Sequence, residues 1–216
     1  MIAATGDTGF LTAREPRPSI ARDSRPSTHR ERLRAATRTA HDDVDARYSG
    51  FDLTTGAGYR AFLTAHSSVL PALEARLSAS GASALLSDWP TRLRTAALAD
   101  DLRDLGGPDR ILDAAPSGSL GTPATLGMMY VLEGSRLGGA VLARRVADNP
   151  DAACRKATRY LRHGERQGLW ASFLAMFDAS PHVRDNEAAV IAGALAAFAM
   201  FAGATGDGGS INGILA

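Results

Sequence analysis

Residues 130–145, YVLEGSRLGGAVLARR, carry Gly134, Gly138 and Gly139 inside an otherwise helical pattern. Each glycine costs a helix about 1 kcal/mol relative to alanine, so this cluster needs a physical reason. On a helix, residues three and four apart share a face. Gly134 and Gly138 therefore leave one side of the helix nearly bare, with the hydroxyl of Ser135 at its border.

Such a bare helix face has two physical uses. Gly127 lies on the same face, and the small-xxx-small spacing of Gly134 and Gly138 favours a close crossing with a second helix. A bare face also lets a flat ligand approach the backbone, or lets the helix bend over that ligand. The tandem of Gly138 and Gly139 softens the helix and favours this second use. Spacing alone leaves both uses open.

One histidine of the first predicted helix could do metal chemistry. His41 lies at the edge of an apolar stripe that includes Ala40 and Val44, and a neutral imidazole binds metal ions and haem iron. The alternative is a partly buried histidine bonded to a backbone carbonyl, and the same two interpretations apply to His66. No HExxH motif indicates a zinc site, and the single Cys154 excludes a cysteine-built zinc site and an internal disulfide.

The elements that position these residues are predicted to be helices. Thr28 and Glu31 have capping-box spacing at the start of the first helix. For the glycine helix, Thr122 is the predicted N-cap, Pro123 stands at the first helical position and Pro150 follows the end. Alternation of β-branched residues is not found in the sequence. We therefore expect an all-α, single-domain fold of about seven to nine helices.

Composition divides the chain into three parts. We expect a disordered leader at 1–27, a helical domain at 28–206 and a flexible tail at 207–216. The net charge of +1 gives no global field that would attract nucleic acid. Residues 188–206 are uncharged, but their alanine and glycine content favours a core helix over a membrane span. The expected location is the cytoplasm, with no membrane or nucleic-acid partner.

Two motifs together resemble a known family. LRAATRTAH ends at His41, and LGMMYVLEGSRLGGAVLARR begins at Leu126. The pair is similar to the haem oxygenase family, and most similar to the bacterial, biliverdin-producing type that often accompanies a bacteriophytochrome. The resemblance spans roughly residues 30–200. It implies a fold in which haem lies between the first helix and a kinked, glycine-rich distal helix.

The resemblance also assigns residues to the haem. It implies that His41 is the proximal axial ligand of haem iron. Arg34 matches a basic partner of a haem propionate, and Tyr130 matches a tyrosine that also reaches a propionate. Read without the resemblance, Arg34 is equally an ordinary exposed arginine and Tyr130 equally a core tyrosine.

The distal helix is implied to cover the other haem face. Gly134, Ser135, Gly138 and Gly139 match the residues that contact haem there and serve catalysis, with backbone groups and the serine hydroxyl anchoring a proton-delivering water. Animal-type members carry an aspartate on this helix, and the matching position here is Ser135. Glu133 stands nearby and is expected to point elsewhere.

The implied activity is oxidative ring opening. In this family haem b is both cofactor and substrate, and the ring is opened at a meso carbon to biliverdin, carbon monoxide and free iron with O2 and external electrons. The implied donor is a ferredoxin, a flavodoxin or a reductase, and a bacteriophytochrome is a candidate receiver of biliverdin. The alternatives are a haem-binding sensor or carrier without turnover and a haem-free interaction protein of the same fold.

A redox donor would dock electrostatically on a basic surface near the haem edge. The candidate cations for that surface are Arg144, Arg145, Arg155, Lys156 and Arg159. The alternative interpretation of the same residues is a solvated helix face.

Overall fold

The structure is a computed structural model that describes residues 28–107 and 118–205, so the expected leader and tail lie outside the described residues. Within those ranges it contains helices and no strand, which confirms the all-α prediction. The helices are α1 (His29–Tyr48), α2 (Gly56–Ser67), α3 (Leu70–Ala79), α4 (Ala82–Leu85), α5 (Trp89–Arg92), α6 (Thr95–Asp104), α7 (Thr122–Ala147), α8 (Ala152–Lys156), α9 (Leu169–Ala179), α10 (Pro181–Asp185) and α11 (Glu187–Gly203). Seven of these have ten or more residues, and the other four are short helices of four or five residues.

The two helices that matter for the site begin differently. At α1 the predicted capping box is present, because the hydroxyl of Thr28 accepts from the amide of Glu31 at 3.2 Å and the Glu31 carboxylate accepts from the Thr28 amide at 2.7 Å. At α7 the predicted N-cap was wrong. The N-cap is Gly121, and Thr122 is already the first helical residue, followed by Pro123 in the first turn.

The helix α11, whose one charged residue is Glu187 at its start, is the central packing element. Both α1 and α7 pack against it, and its approach to α7 is unusually close. A Cβ on Gly127 would overlap the carbonyl oxygen of Val190, and a Cβ on Gly193 would overlap that of Ala124. A close helix crossing, one of the two uses left open for Gly134 and Gly138, is thus made by Gly127 and Gly193. None of the helices in the described ranges is long and apolar enough to cross a membrane.

Where α1, α2 and α11 meet, an aromatic cluster surrounds His66. The ring centroid of His66 lies 4.2 Å from that of Phe62 and 4.6 Å from that of Tyr48. Its Nδ1 atom hydrogen-bonds to the carbonyl oxygen of Phe62 at 2.9 Å, so His66 is the carbonyl-bonded histidine of the second interpretation. Burial lowers the pKa of His66 to about 4.

We predict that Gly193→Ala lowers the free energy of unfolding by about 1–3 kcal/mol, because the new methyl group overlaps the Ala124 backbone. Gly138→Ala is the matched control, since no atom lies within 4 Å of a Cβ at that position. There the better helix propensity of alanine should stabilise the protein by up to about 1 kcal/mol. Urea unfolding without added haem measures both, and equal effects would contradict the close crossing.

The depressed pKa of His66 predicts a pH dependence of stability. Between the folded-state pKa of about 4 and the ordinary value near 6.5, the unfolded chain binds a proton that the folded chain does not. The free energy of unfolding should therefore fall as the pH drops through this window, by at most about 3 kcal/mol from this group.

The test for this pH dependence is urea unfolding at several pH values between about 4 and 7. His66→Gln should flatten the dependence, whereas His182→Gln, at an exposed position on α10, should leave it as in the parent protein. A slope that survives in His66→Gln would show that another group titrates.

Candidate functional site

His41 projects from α1 at the edge of the buried stripe. Its side chain is 56% exposed, while Leu33 and Thr37 on the same helix are buried. Its ring meets Phe198 of α11 edge-on, with the centroids 5.7 Å apart. Its Nδ1 atom faces a carboxylate, at 3.2 Å from an oxygen of Asp45. Of the two interpretations, this geometry favours an accessible ligand over a buried, carbonyl-bonded histidine.

The contact with Asp45 determines which ring nitrogen can bind a ligand. A carboxylate beside Nδ1 favours the tautomer that carries its proton there, and this leaves the Nε2 lone pair free. Histidines that bind metals commonly have such a partner on the second nitrogen. Asp45 was not predicted from the sequence, although its position four residues after His41 places both on one helix face.

The bare face of α7 is open where the crossing with α11 ends. The helix continues unbroken through its glycines. No atom lies within 4 Å of a Cβ placed on Gly138, and a Cβ on Gly134 would make only an ordinary contact with Trp170 at 3.6 Å. Leu137 and Val141 beside Gly138 are 57% and 55% exposed. The stretch therefore presents exposed backbone and two uncovered apolar side chains, which suits a flat apolar ligand.

The third glycine of the stretch has a packing reason of its own. Gly139 is buried, and a Cβ there would come within 2.7 Å of the carbonyl oxygen of Leu161. Its missing side chain lets the segment after α8 lie directly against α7. Of the other two glycines in the stretch, Gly138 faces open space and Gly134 faces the ring of Trp170.

The hydroxyl of Ser135 is held by two partners. It donates to the carbonyl oxygen of Leu132 at 2.7 Å and accepts from Nη2 of Arg94 at 2.9 Å. Arg94 is buried, and its guanidinium lies 5.3 Å from the ring centroid of Tyr160. Arg94 was not predicted from the sequence, because 41 residues separate it from Ser135 and no local spacing connects them.

Tyr130 and the first half of α1 form a positive end of the site. The Tyr130 ring is half-buried and lies 5.3 Å from that of Trp170. Burial raises the pKa of Tyr130, and the charges of Arg34 and Arg30 act in the opposite direction, so both guanidiniums lie within electrostatic range of the phenol. Arg34 is exposed, whereas Arg30 is paired with Asp178 at 3.1 Å. This end suits an anionic group.

Glu133 points away from the open face, as expected from the sequence. Its side chain is fully buried and is bound by Arg92 at 2.6 Å and by Arg136 at 2.8 Å. It therefore cannot take the place of the aspartate that animal-type relatives carry on this helix.

Part of the candidate basic surface is committed to local contacts. Arg159 pairs with Asp101 at 3.0 Å and with Asp104 at 2.7 Å. Arg155 donates to backbone carbonyls between α7 and α8. The exposed remainder of the surface consists of Arg144, Arg145 and Lys156.

The residue types that α1 and α7 present fit a haem. The exposed imidazole of His41 supplies an iron ligand, and the bare face around Gly138 matches the flat macrocycle. The cations beside Tyr130 match the propionates. Both α1 and α7 pack against α11, which fixes their relative position.

Comparisons with known proteins identify the family. The profile of the family described as Heme oxygenase matches residues 117–205. A protein named Heme oxygenase from Xanthomonas campestris pv. campestris (strain 8004) is 35% identical over 144 residues, which are 66% of this chain and 86% of that protein. The fold is shared with the NO- and CO-bound haem oxygenase from Neisseria meningitidis, with a TM-score of 0.63 and 23% identity over 82% of this chain and 90% of that one. The chain therefore belongs to the bacterial haem oxygenase family.

Proposed function

We propose that the chain binds haem between α1 and α7 and opens its ring to biliverdin, carbon monoxide and iron, with O2 and electrons from a redox partner. Members of its family are oxidoreductases that degrade haem. The observation that carries the assignment to this site is the exposed His41, whose Nδ1 lies 3.2 Å from the Asp45 carboxylate. When bound, haem supplies the iron that binds O2 and the ring that is oxidised.

On the α1 side, the chain holds the iron through one neutral imidazole. Asp45 keeps the His41 proton on Nδ1 and orients the ring, so that Nε2 binds the iron. Phe198 contacts the imidazole ring and restricts its rotation. Arg34 and the phenol of Tyr130 hold the propionates, and this fixes the rotation of the macrocycle in the cleft.

On the α7 side, the chain supplies a surface without a large acid or base. Exposed backbone at Gly134 and Gly138 lies against the macrocycle, and Leu137 and Val141 exclude bulk water from it. The hydroxyl of Ser135, held by Arg94, keeps one lone pair free to bind an ordered water and hold a proton there. Gly139 serves the same surface indirectly, because its contact with Leu161 holds the helix from behind.

Hemin titration followed by reduction in air tests the proposal. The parent protein should develop a Soret band that decays into the broad red absorption of biliverdin when ascorbate or a ferredoxin system is added. His41→Ala should lose the ligated Soret spectrum and the product. Asp45→Asn should keep the ligand but weaken haem affinity or turnover roughly 10–100-fold.

The control for this titration is His182→Ala, on an exposed part of α10, which should behave like the parent protein. A stable Soret band without bleaching in the parent would indicate a haem carrier instead of an enzyme. A normal Soret band in His41→Ala would remove this histidine as the ligand.

We also propose that the donor is a small acidic redox protein, a ferredoxin or a flavodoxin, that docks near Arg144 and Arg145. Both are exposed at the end of α7, the helix that carries the bare face. Transfer of biliverdin to a bacteriophytochrome and a cytoplasmic location also remain predictions. The first rests on the motif resemblance and the second on cysteine usage.

Charge reversal tests the docking surface. Arg144→Glu combined with Arg145→Glu should slow reduction of bound haem by an acidic donor roughly tenfold at low salt, because electrostatic steering is lost. The difference should shrink as salt screens the charges, and hemin affinity should not change. Arg60→Glu, an exposed arginine on α2, is the control. Equal reduction rates in the double variant and the control, measured by stopped flow, would remove the assignment.

A further inference from the structure

Behind the open face of α7 lies a buried ionic cluster that the proposed chemistry does not use. Both carboxylate oxygens of Glu133 are bound. One accepts from Nη1 of Arg92 at 2.6 Å and from Nε of Arg136 at 3.0 Å, and the other accepts from Nη2 of Arg136 at 2.8 Å. The side chains of Glu133 and Arg92 are fully buried, and that of Arg136 is 8% exposed.

The cluster ties α7 to two other helices. Arg92 donates to the carbonyl oxygen of Leu169 at 2.9 Å and to the hydroxyl of Ser172 at 2.7 Å, both in α9. It also pairs with Asp88 at 2.8 Å, and Arg136 donates back to the carbonyl oxygen of Arg92 at 2.6 Å. Displacing this part of α7 therefore breaks its bonds to Arg92 of α5, the residue that in turn binds α9.

Stability alone does not explain buried charges at this position. Desolvation of buried ions offsets most of their attraction, and well-packed apolar residues are often as stabilising. What charged groups add is direction, because each hydrogen bond restricts both distance and angle. Three bonds to one carboxylate restrict the rotation of α7 about its axis and its translation along that axis.

The cluster lies beside the part of α7 whose rotation and translation most need to be restricted. Glu133 immediately precedes Gly134, and Arg136 lies within the stretch Gly134–Gly139. Glycines make a helix backbone locally soft, and the open face around Gly138 has no protein neighbour to hold it. The stretch is therefore held at the cluster, at the contact of Gly139 with Leu161 and at the bond from Arg94 to Ser135.

We propose that Glu133, Arg92 and Arg136 form a positioning clamp that fixes the backbone of Gly134–Gly139 and the hydroxyl of Ser135. In haem turnover this clamp determines which edge of the ring is presented for oxidation. This second statement rests on the proposed function. The first holds for the protein without haem.

Hydrogen–deuterium exchange on the haem-free protein tests the clamp. Glu133→Asp keeps the charge but shortens the reach by one methylene, so the carboxylate cannot keep all three bonds. Amide exchange in Gly134–Gly139 should become roughly tenfold faster, while exchange in α1 and α11 changes by less than about twofold. Glu165→Asp, the same change at the exposed pair with Arg162 at 3.0 Å, should leave exchange in Gly134–Gly139 unchanged.

The haem-loaded protein gives the second measurement. In Glu133→Asp the ratio of biliverdin isomers should shift by roughly twofold or more, because a small displacement of positioning groups redirects the reaction, while hemin affinity stays within about threefold. Unchanged exchange in Gly134–Gly139, or an equal rise throughout the protein, would overturn the clamp and leave an ordinary structural cluster.

Failure of the clamp and failure of the proposed function are distinguishable. A parent protein that makes no biliverdin would remove the function without affecting the exchange result. If Glu133→Asp does not fold, Arg136→Lys replaces it under the same criteria, because it keeps the charge and loses the planar fork that binds both oxygens.

Discussion

The close crossing of α7 on α11 is the constraint on which the site depends. It requires glycine on both helices, at Gly127 and at Gly193, since a methyl group on either would overlap the backbone of the other. With the two backbones in contact, α7 has a fixed position relative to α11. Because α1 also packs against α11, this third helix sets the position of α1 relative to α7.

The glycines of α7 divide into three physical roles along one helix. Gly127 serves helix packing, Gly139 serves a backbone contact with the following segment, and Gly138 leaves backbone uncovered. A helix with several glycines loses intrinsic stability, and packing with α11 and the bonds of Glu133 offset that loss. The backbone of α7 that remains without packing partners is at Gly138, where a bound ligand would complete the packing.

The polar groups of the site form two sets, one exposed and one buried behind it. His41 and Ser135 are exposed, yet His41 lies beside the Asp45 carboxylate, and the Ser135 hydroxyl is held by Arg94 and by the carbonyl oxygen of Leu132. An exposed group with a fixed partner is accessible and at the same time restricted to few rotamers, and this combination suits ligand binding. The buried charges of Glu133 and Arg92 lie behind this layer and support the backbone instead of contacting the ligand.

The sequence by itself determined the helical class, the capping box at Thr28 and, through the motifs at His41 and the glycine stretch, the family. It could do so because helix signals are local, and because His41 and the glycine stretch stand out by residue type. The tertiary structure alone decided which glycines pack and which stay open, because an identical spacing serves a helix crossing and a ligand face. It also decided that Arg94 reaches Ser135 and that Arg92 reaches Glu133, pairs each 41 residues apart in sequence. Periodicity shows which residues share a face, but the partner that covers that face is fixed only when distant helices pack together.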